Sequence, residues 1–206
     1  MIKFQFTFAV CLLALGTSVA LGQNIQGSAH DFSNDNWNTT GQICIVCHTP
    51  HNADATVTNA PLWNHATTTA TFTTYNSATM QATTGQPDAS AKLCLSCHDG
   101  TIAVDNYGSQ SGGSHFISGG PRIGTDLGND HPISFTYNSS LASQDGGLHD
   151  PSTTNSGLGG TIAEDMLIGG KMQCASCHDV HNGSGFAYLL RKSNAGSALC
   201  LTCHDK

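Results

Sequence analysis

Charge is scarce in this chain. Asp, Glu, Lys and Arg make up 10% of its 206 residues, and Lys and Arg together number only seven. So thin a basic complement excludes a nucleic-acid surface. Aromatic residues are 7%, and after residue 22 no long aliphatic run occurs. Without such runs the chain has no later segment to span a bilayer, and few residues from which to build a large core. Something other than side chains is expected to fill the middle. The formal charge of −7 suits a soluble secreted protein and says little more.

The one apolar stretch lies at the start, MIKFQFTFAVCLLALGTSVALGQ. Lys3 gives it a positive beginning, and Ala20-Leu21-Gly22 offers small residues where signal peptidase cuts. Residues 1–22 are therefore expected to be a cleaved secretory signal. They leave one domain, residues 23–206, for export through the periplasm to the cell surface or beyond. Cys11 falls inside the signal, and Val10 before it is too large for a lipoprotein site.

Removing Cys11 from nine cysteines leaves eight, in four identical units. These are CIVCH (Cys44, Cys47, His48), CLSCH (Cys94, Cys97, His98), CASCH (Cys174, Cys177, His178) and CLTCH (Cys200, Cys203, His204). C-x-x-C-H is the attachment signal of c-type haem. Its two thiols add to the two vinyl groups on one porphyrin edge. The histidine, next in the chain, then swings beneath the ring and ligates the iron. Zinc would not require histidine at one offset four times. A redox dithiol is normally single and sits in a βαβ unit. A disulfide framework suits a secreted chain but leaves the four histidines without a purpose. The motifs thus predict four haem c groups, with His48, His98, His178 and His204 as proximal iron ligands. So many apolar plates can serve as the core. The expected fold is mostly irregular, with short helices at the motifs and few short strands.

Seven further histidines remain: His30, His51, His65, His115, His131, His149 and His181. They outnumber the three methionines left after Met1, so histidine is the better-supplied sixth ligand. His51 and His181 each follow a proximal histidine by three, in CIVCHTPH and CASCHDVH. In a helical turn three residues advance only about 4.5 Å. The second imidazole therefore starts on the same side of the ring as the first, and any iron it binds belongs to a neighbouring haem. His131 precedes Pro132, which favours extended backbone, and Ile133, Phe135 and Tyr137 then alternate like a short strand. His30 lies close to the expected mature terminus, as a ligand on a mobile arm. His65 is the reserve, at the edge of a Pro61-Leu62-Trp63 packing wedge. His115 and His149 read as solvated loop residues.

Residues 65–84 hold nine threonines and favour extended chain. Residues 105–130 and 142–160 are glycine-rich and read as loop. No composition break divides the chain into domains.

In order, GSAHDFS, CIVCHTPHN, APLWNH, CLSCHDG, NDHPISF and CASCHDVHN resemble the tetrahaem secreted cytochromes of metal-reducing and related bacteria, the outer-membrane cytochrome E type. The likeness covers most of the mature chain. It implies stacked bis-histidine haems in mostly irregular structure, with His30, His51, His131 and His181 as distal ligands. It also implies a homopolymer, an extracellular conductive filament in which one haem takes its distal histidine from the next protomer. Its electrons would pass to other redox proteins or external acceptors. The alternatives are a monomeric periplasmic electron shuttle and a multihaem reductase. The reductase would need an open iron and nearby proton donors, and the ample spare histidines argue against it. The expected role is electron transfer, without enzymatic turnover.

Overall fold

The computed structural model describes residues 24–108 and 110–205. The signal segment 1–22 and Cys11 lie outside the described residues. Regular structure is short and sparse. In chain order it comprises α1 (Ala89–His98), β1 (Phe135–Thr136), α2 (Ser139–Asp145), α3 (Ile162–Asp165), β2 (Lys171–Met172) and α4 (Cys174–Cys177). Single 3-10 turns follow at Ala187–Leu189, Ala195–Ser197 and Cys200–Thr202. The strands β1 and β2 pair antiparallel, with Phe135 opposite Met172. Among the described residues no helix is long and apolar enough to cross a membrane.

Three of the four C-x-x-C-H units sit on these helical turns. The second ends α1, the third makes up α4, and the fourth occupies the last 3-10 turn. The first departs from the expected short helix. It forms one hydrogen-bonded turn, with the His48 N–H donating to the Cys44 carbonyl at 2.8 Å. A helix is disfavoured there by Ile45 and Val46, both β-branched. α1 stops where Gly100 adopts φ +75°. Its positive φ favours glycine, and a Cβ there would lie 2.5 Å from Arg122 Nε, so that side chain would have to shift.

The apolar residues form four separate clusters rather than one core. The largest joins Phe135, Tyr137, Leu141, Ile162, Met166, Met172, Leu199 and Cys203. Others gather Val46, Val104 and Tyr107; Val57, Trp63 and Leu93; and Phe72, Leu95 and Leu127. Each includes a residue within or directly beside a haem motif. Met166 and Met172 are buried packing residues. Trp63 packs as the wedge expected of it, while Leu62 projects outward.

Between the clusters the loops are held by their own side chains. Asp31, Asp54, Asp99, Asp150 and Asp179 each accept the backbone N–H two residues on. These local turns satisfy backbone groups that no helix or sheet reaches. The donors at Thr56 hold Asp54 below the usual carboxylate range, and those at Ser152 and Ser139 do the same for Asp150. The 65–84 segment runs extended, tied by an isolated bridge of Thr73 to Asp126. The 142–160 segment differs in part from the expected loop. α2 covers its first residues, because Asn138 caps it by accepting the Leu141 N–H and Gly146 ends it at φ 70°.

One buried polar group ties the second motif to the third. Gln173, 1% exposed, accepts the Ala91 N–H at 3.2 Å and the Ser134 hydroxyl at 3.3 Å. Its amide donates to Asp88 at 2.6 Å. Asp88 also pairs with Lys171. Packing of α1 on α4 depends on this node. Gln173→Ala orphans buried donors and should cost about 2–4 kcal/mol, measured as a lowered denaturant midpoint of the haem-loaded protein.

Candidate haem-binding sites

The four motif histidines project from turns that fix their backbone, and hydrogen bonds orient three of their rings. His48 Nδ1 donates to the Pro61 carbonyl at 2.6 Å, His98 Nδ1 to Pro121 at 2.7 Å, and His178 Nδ1 to Tyr188 at 2.9 Å. A carbonyl at Nδ1 selects the tautomer whose Nε2 lone pair is available to a metal. His131 has the same arrangement with the Pro132 carbonyl at 2.9 Å.

Around the first and third motifs the arrangement is a repeat. After His48, the Thr49 N–H reaches the Leu62 carbonyl at 2.9 Å, and the Asn64 N–H reaches Cys47 at 2.9 Å. After His178, the Asp179 N–H reaches Leu189 at 2.7 Å, and the Arg191 N–H reaches Cys177 at 2.9 Å. Each unit docks on a returning segment through three equivalent bonds. Leu62, Tyr188 and Leu189 take positive φ to make the return. The acceptor segments PLWN and YLLR share only a leucine, so sequence offered no sign of the docking. The signal available was the doubled C-x-x-C-H-x-x-H-N.

The imidazoles come together in pairs. His48 faces His181 with ring centres 6.1 Å apart, His98 faces His30 at 5.9 Å, and His204 faces His131 at 6.3 Å. Two imidazoles bound through Nε2 to opposite faces of one metal, with bonds of about 2.0 Å, hold their centres about 6.3 Å apart. The three pairs thus have the span that a shared iron requires. His181 faces the proximal histidine of another motif, not His178. Among the described residues, His178 and His51 are left without a facing imidazole, and both are exposed.

An apolar cleft of about 110 Å³ is lined by Phe135, Tyr137, Leu141, Leu148, Cys203, His131 and His204; it is an apolar wall beside one pair of imidazoles, too small to enclose a porphyrin. A larger cleft of about 370 Å³ near Pro87 and Lys92 contains no cysteine or histidine. Among the described residues no three His, Cys, Asp or Glu side chains converge as a metal cage. Paired imidazoles need none, because a porphyrin supplies the other four nitrogens. Burial pushes the Cys47 thiol up to about 11 and Cys97 up to about 12. Cys203 rises to about 11 for the same reason. A reactive dithiol needs a depressed value, which Cys47, Cys97 and Cys203 do not have. The eight described cysteines are free of disulfides. Those of the second and third motifs, Cys94 and Cys174, lie close enough to perturb one another's thiols, lowering Cys94 and raising Cys174.

His30 and His65 differ sharply. Burial, with His98, His178 and His181 nearby, pulls the His30 imidazole down to about 4. It is therefore neutral, as a metal ligand must be, and it is half-buried while Asn24, Gln26, Gly27 and Ala29 before it are exposed. His65 is 2% exposed, with Nδ1 at 2.7 Å from the Ala66 carbonyl and Nε2 at 3.0 Å from Ala103. Burial holds the ring neutral, so one nitrogen donates to its carbonyl and the other only lies against the second, with the Cys97 sulfur 3.6 Å from Nε2. His115, read as a solvated loop residue, pairs with Asp105 at 3.0 Å, and His149 is half-buried. His65→Ala should leave the low-spin haem spectrum unchanged and cost about 2–4 kcal/mol of stability, read from the denaturant midpoint.

A family model described as a doubled CXXCH motif matches residues 168–206, which hold the third and fourth motifs. No curated protein matches the chain. The doubled motif, with the fold and the paired imidazoles, points to a multihaem c-type cytochrome that binds haem c covalently.

Proposed function

We propose that the exported chain carries electrons through four bis-histidine haems as the repeating unit of an extracellular filament. Each haem c would supply a one-electron Fe(III)/Fe(II) carrier. The thioethers come from Cys44 and Cys47, Cys94 and Cys97, Cys174 and Cys177, and Cys200 and Cys203. Within one chain the ligand pairs are His48 with His181, His98 with His30, and His204 with His131. Imidazoles on both faces of an iron exclude small ligands and favour electron transfer.

The observation that carries the filament reading is the remainder. His178 is a proximal histidine without a facing imidazole, and His51 is an exposed histidine in the same position. Val180, Phe186 and Tyr188 around His178 are exposed apolar residues, Tyr188 at 86%. His51 of a second copy would complete the set. A contact between two different patches is head to tail, and it builds an open filament wherever its rotation does not close a ring. Electron donors and acceptors would be other redox proteins or extracellular solids, met at the filament ends.

A second reading is favoured by the repeat. The units around His48 and His178 are built alike, and His181 already faces His48. A reciprocal move would bring His51 to His178 inside one chain and give a monomeric shuttle.

Negative-stain images and intact mass of secreted, haem-loaded protein separate these. The filament reading expects four haems by mass, filaments from the native chain, and loss of filaments without loss of haem in His51→Ala. Monomers with every haem low-spin mean the shuttle. A high-spin haem in the native protein, with turnover of a substrate such as nitrite, means a reductase. In a separate mass measurement, serine at Cys174 and Cys177 together should remove one haem from the four.

A further inference from the structure

The paired imidazoles differ in what holds their outer nitrogen. For His48, His98, His178 and His131 it is a neutral backbone carbonyl. For His30 the Nδ1 is buried with no partner. His181 is different: its Nδ1 lies 3.6 Å from the carboxylate Oδ1 of Asp179.

Asp179 is well fixed for this position. Its own N–H donates to Leu189 at 2.7 Å. Its Oδ1 accepts the His181 N–H at 3.0 Å, and its Oδ2 accepts the Gly183 N–H at 2.9 Å. The same carboxylate thus sets the backbone of the ligand and stands beside its ring. In the sister unit the equivalent residue is Thr49, which carries no charge and donates its hydroxyl to the His51 carbonyl at 2.8 Å. Within the motifs the units differ at 45/175, 46/176, 49/179 and 50/180, and only the exchange of Thr49 for Asp179 alters charge.

At 3.6 Å the carboxylate is beyond hydrogen-bond reach and acts as a negative charge beside the ring. Negative charge next to a ligand favours Fe(III) over Fe(II) and lowers the potential. We infer that Asp179 is a positioning residue that makes the iron between His48 and His181 the hardest of the set to reduce. The inference rests on the bis-histidine reading above. The unpartnered His30 ring sets the opposite extreme, so the iron between His98 and His30 is the easiest to reduce. Neighbouring carriers are then unequal, and electrons reside preferentially on the second motif's haem. The step itself is the gain of one electron by Fe(III), with no bond made or broken.

Spectroelectrochemical titration of the haem-loaded full chain at neutral pH, with dithionite as reductant, tests this. In Asp179→Asn the lowest of the one-electron steps should rise by about tenfold in its reduction equilibrium, about 59 mV. The other steps should move less. Asp179→Glu should restore the native value. Asp179→Thr, which copies the folded sister unit, should behave like Asp179→Asn. An unmoved lowest step, an equal rise of all steps, or failure of Asp179→Glu to restore it overturns the inference. Fewer than four haems by mass, or high-spin iron, in the native protein overturns the underlying reading instead.

Discussion

The chain brings imidazoles from distant segments into pairs whose ring centres lie 5.9 to 6.3 Å apart, and the rest of the structure is arranged to hold them there. A ring on a flexible side chain has two torsions and two tautomers, and a chain with little regular structure offers few rigid supports. The hydrogen bond from Nδ1 to a backbone carbonyl removes both freedoms at once. It recurs at His48, His98, His178 and His131, each time with a carbonyl whose position is set by a neighbouring proline or by a return segment with positive φ. The docking bonds at Thr49 and Asp179 then fix the turn that bears the next histidine.

The rest of the fold is economical around that requirement. Fixing backbone costs about 1–2 kcal/mol per residue, and small separate clusters offset only part of it. Asx turns, the buried Gln173 node and two thioethers per haem supply the remainder. Covalent anchoring suits such a chain, because it keeps the cofactor in place without a deep pocket. Each apolar cluster touches a motif, so the side-chain packing and the anchors reinforce one another. His65, buried between the Ala66 and Ala103 carbonyls, belongs to this framework.

Much of this was legible in the sequence. The fourfold C-x-x-C-H pointed to the cofactor, and the low charge with scarce aliphatic runs pointed to an irregular fold. The alternation at Ile133, Phe135 and Tyr137 pointed to a strand, which formed only at Phe135–Thr136 because its partner offers just Lys171 and Met172. What was not legible is pairing. Facing imidazoles such as His30 and His98 are far apart in the chain, and no local periodicity encodes their approach. What distinguishes His30, whose ring lies beside His98, from His65, packed against backbone carbonyls, is a tertiary property. The helix absent at the first motif was a local matter, since Ile45 and Val46 weaken it.

The central claim is that His181 of the third motif completes the iron anchored by Cys44 and Cys47. A density map of haem-loaded native protein, resolved well enough to see side chains, tests it most directly. The account predicts continuous density from the His48 and His181 rings to one iron. Density joining His51, or any residue other than His181, to the iron above His48 would contradict it.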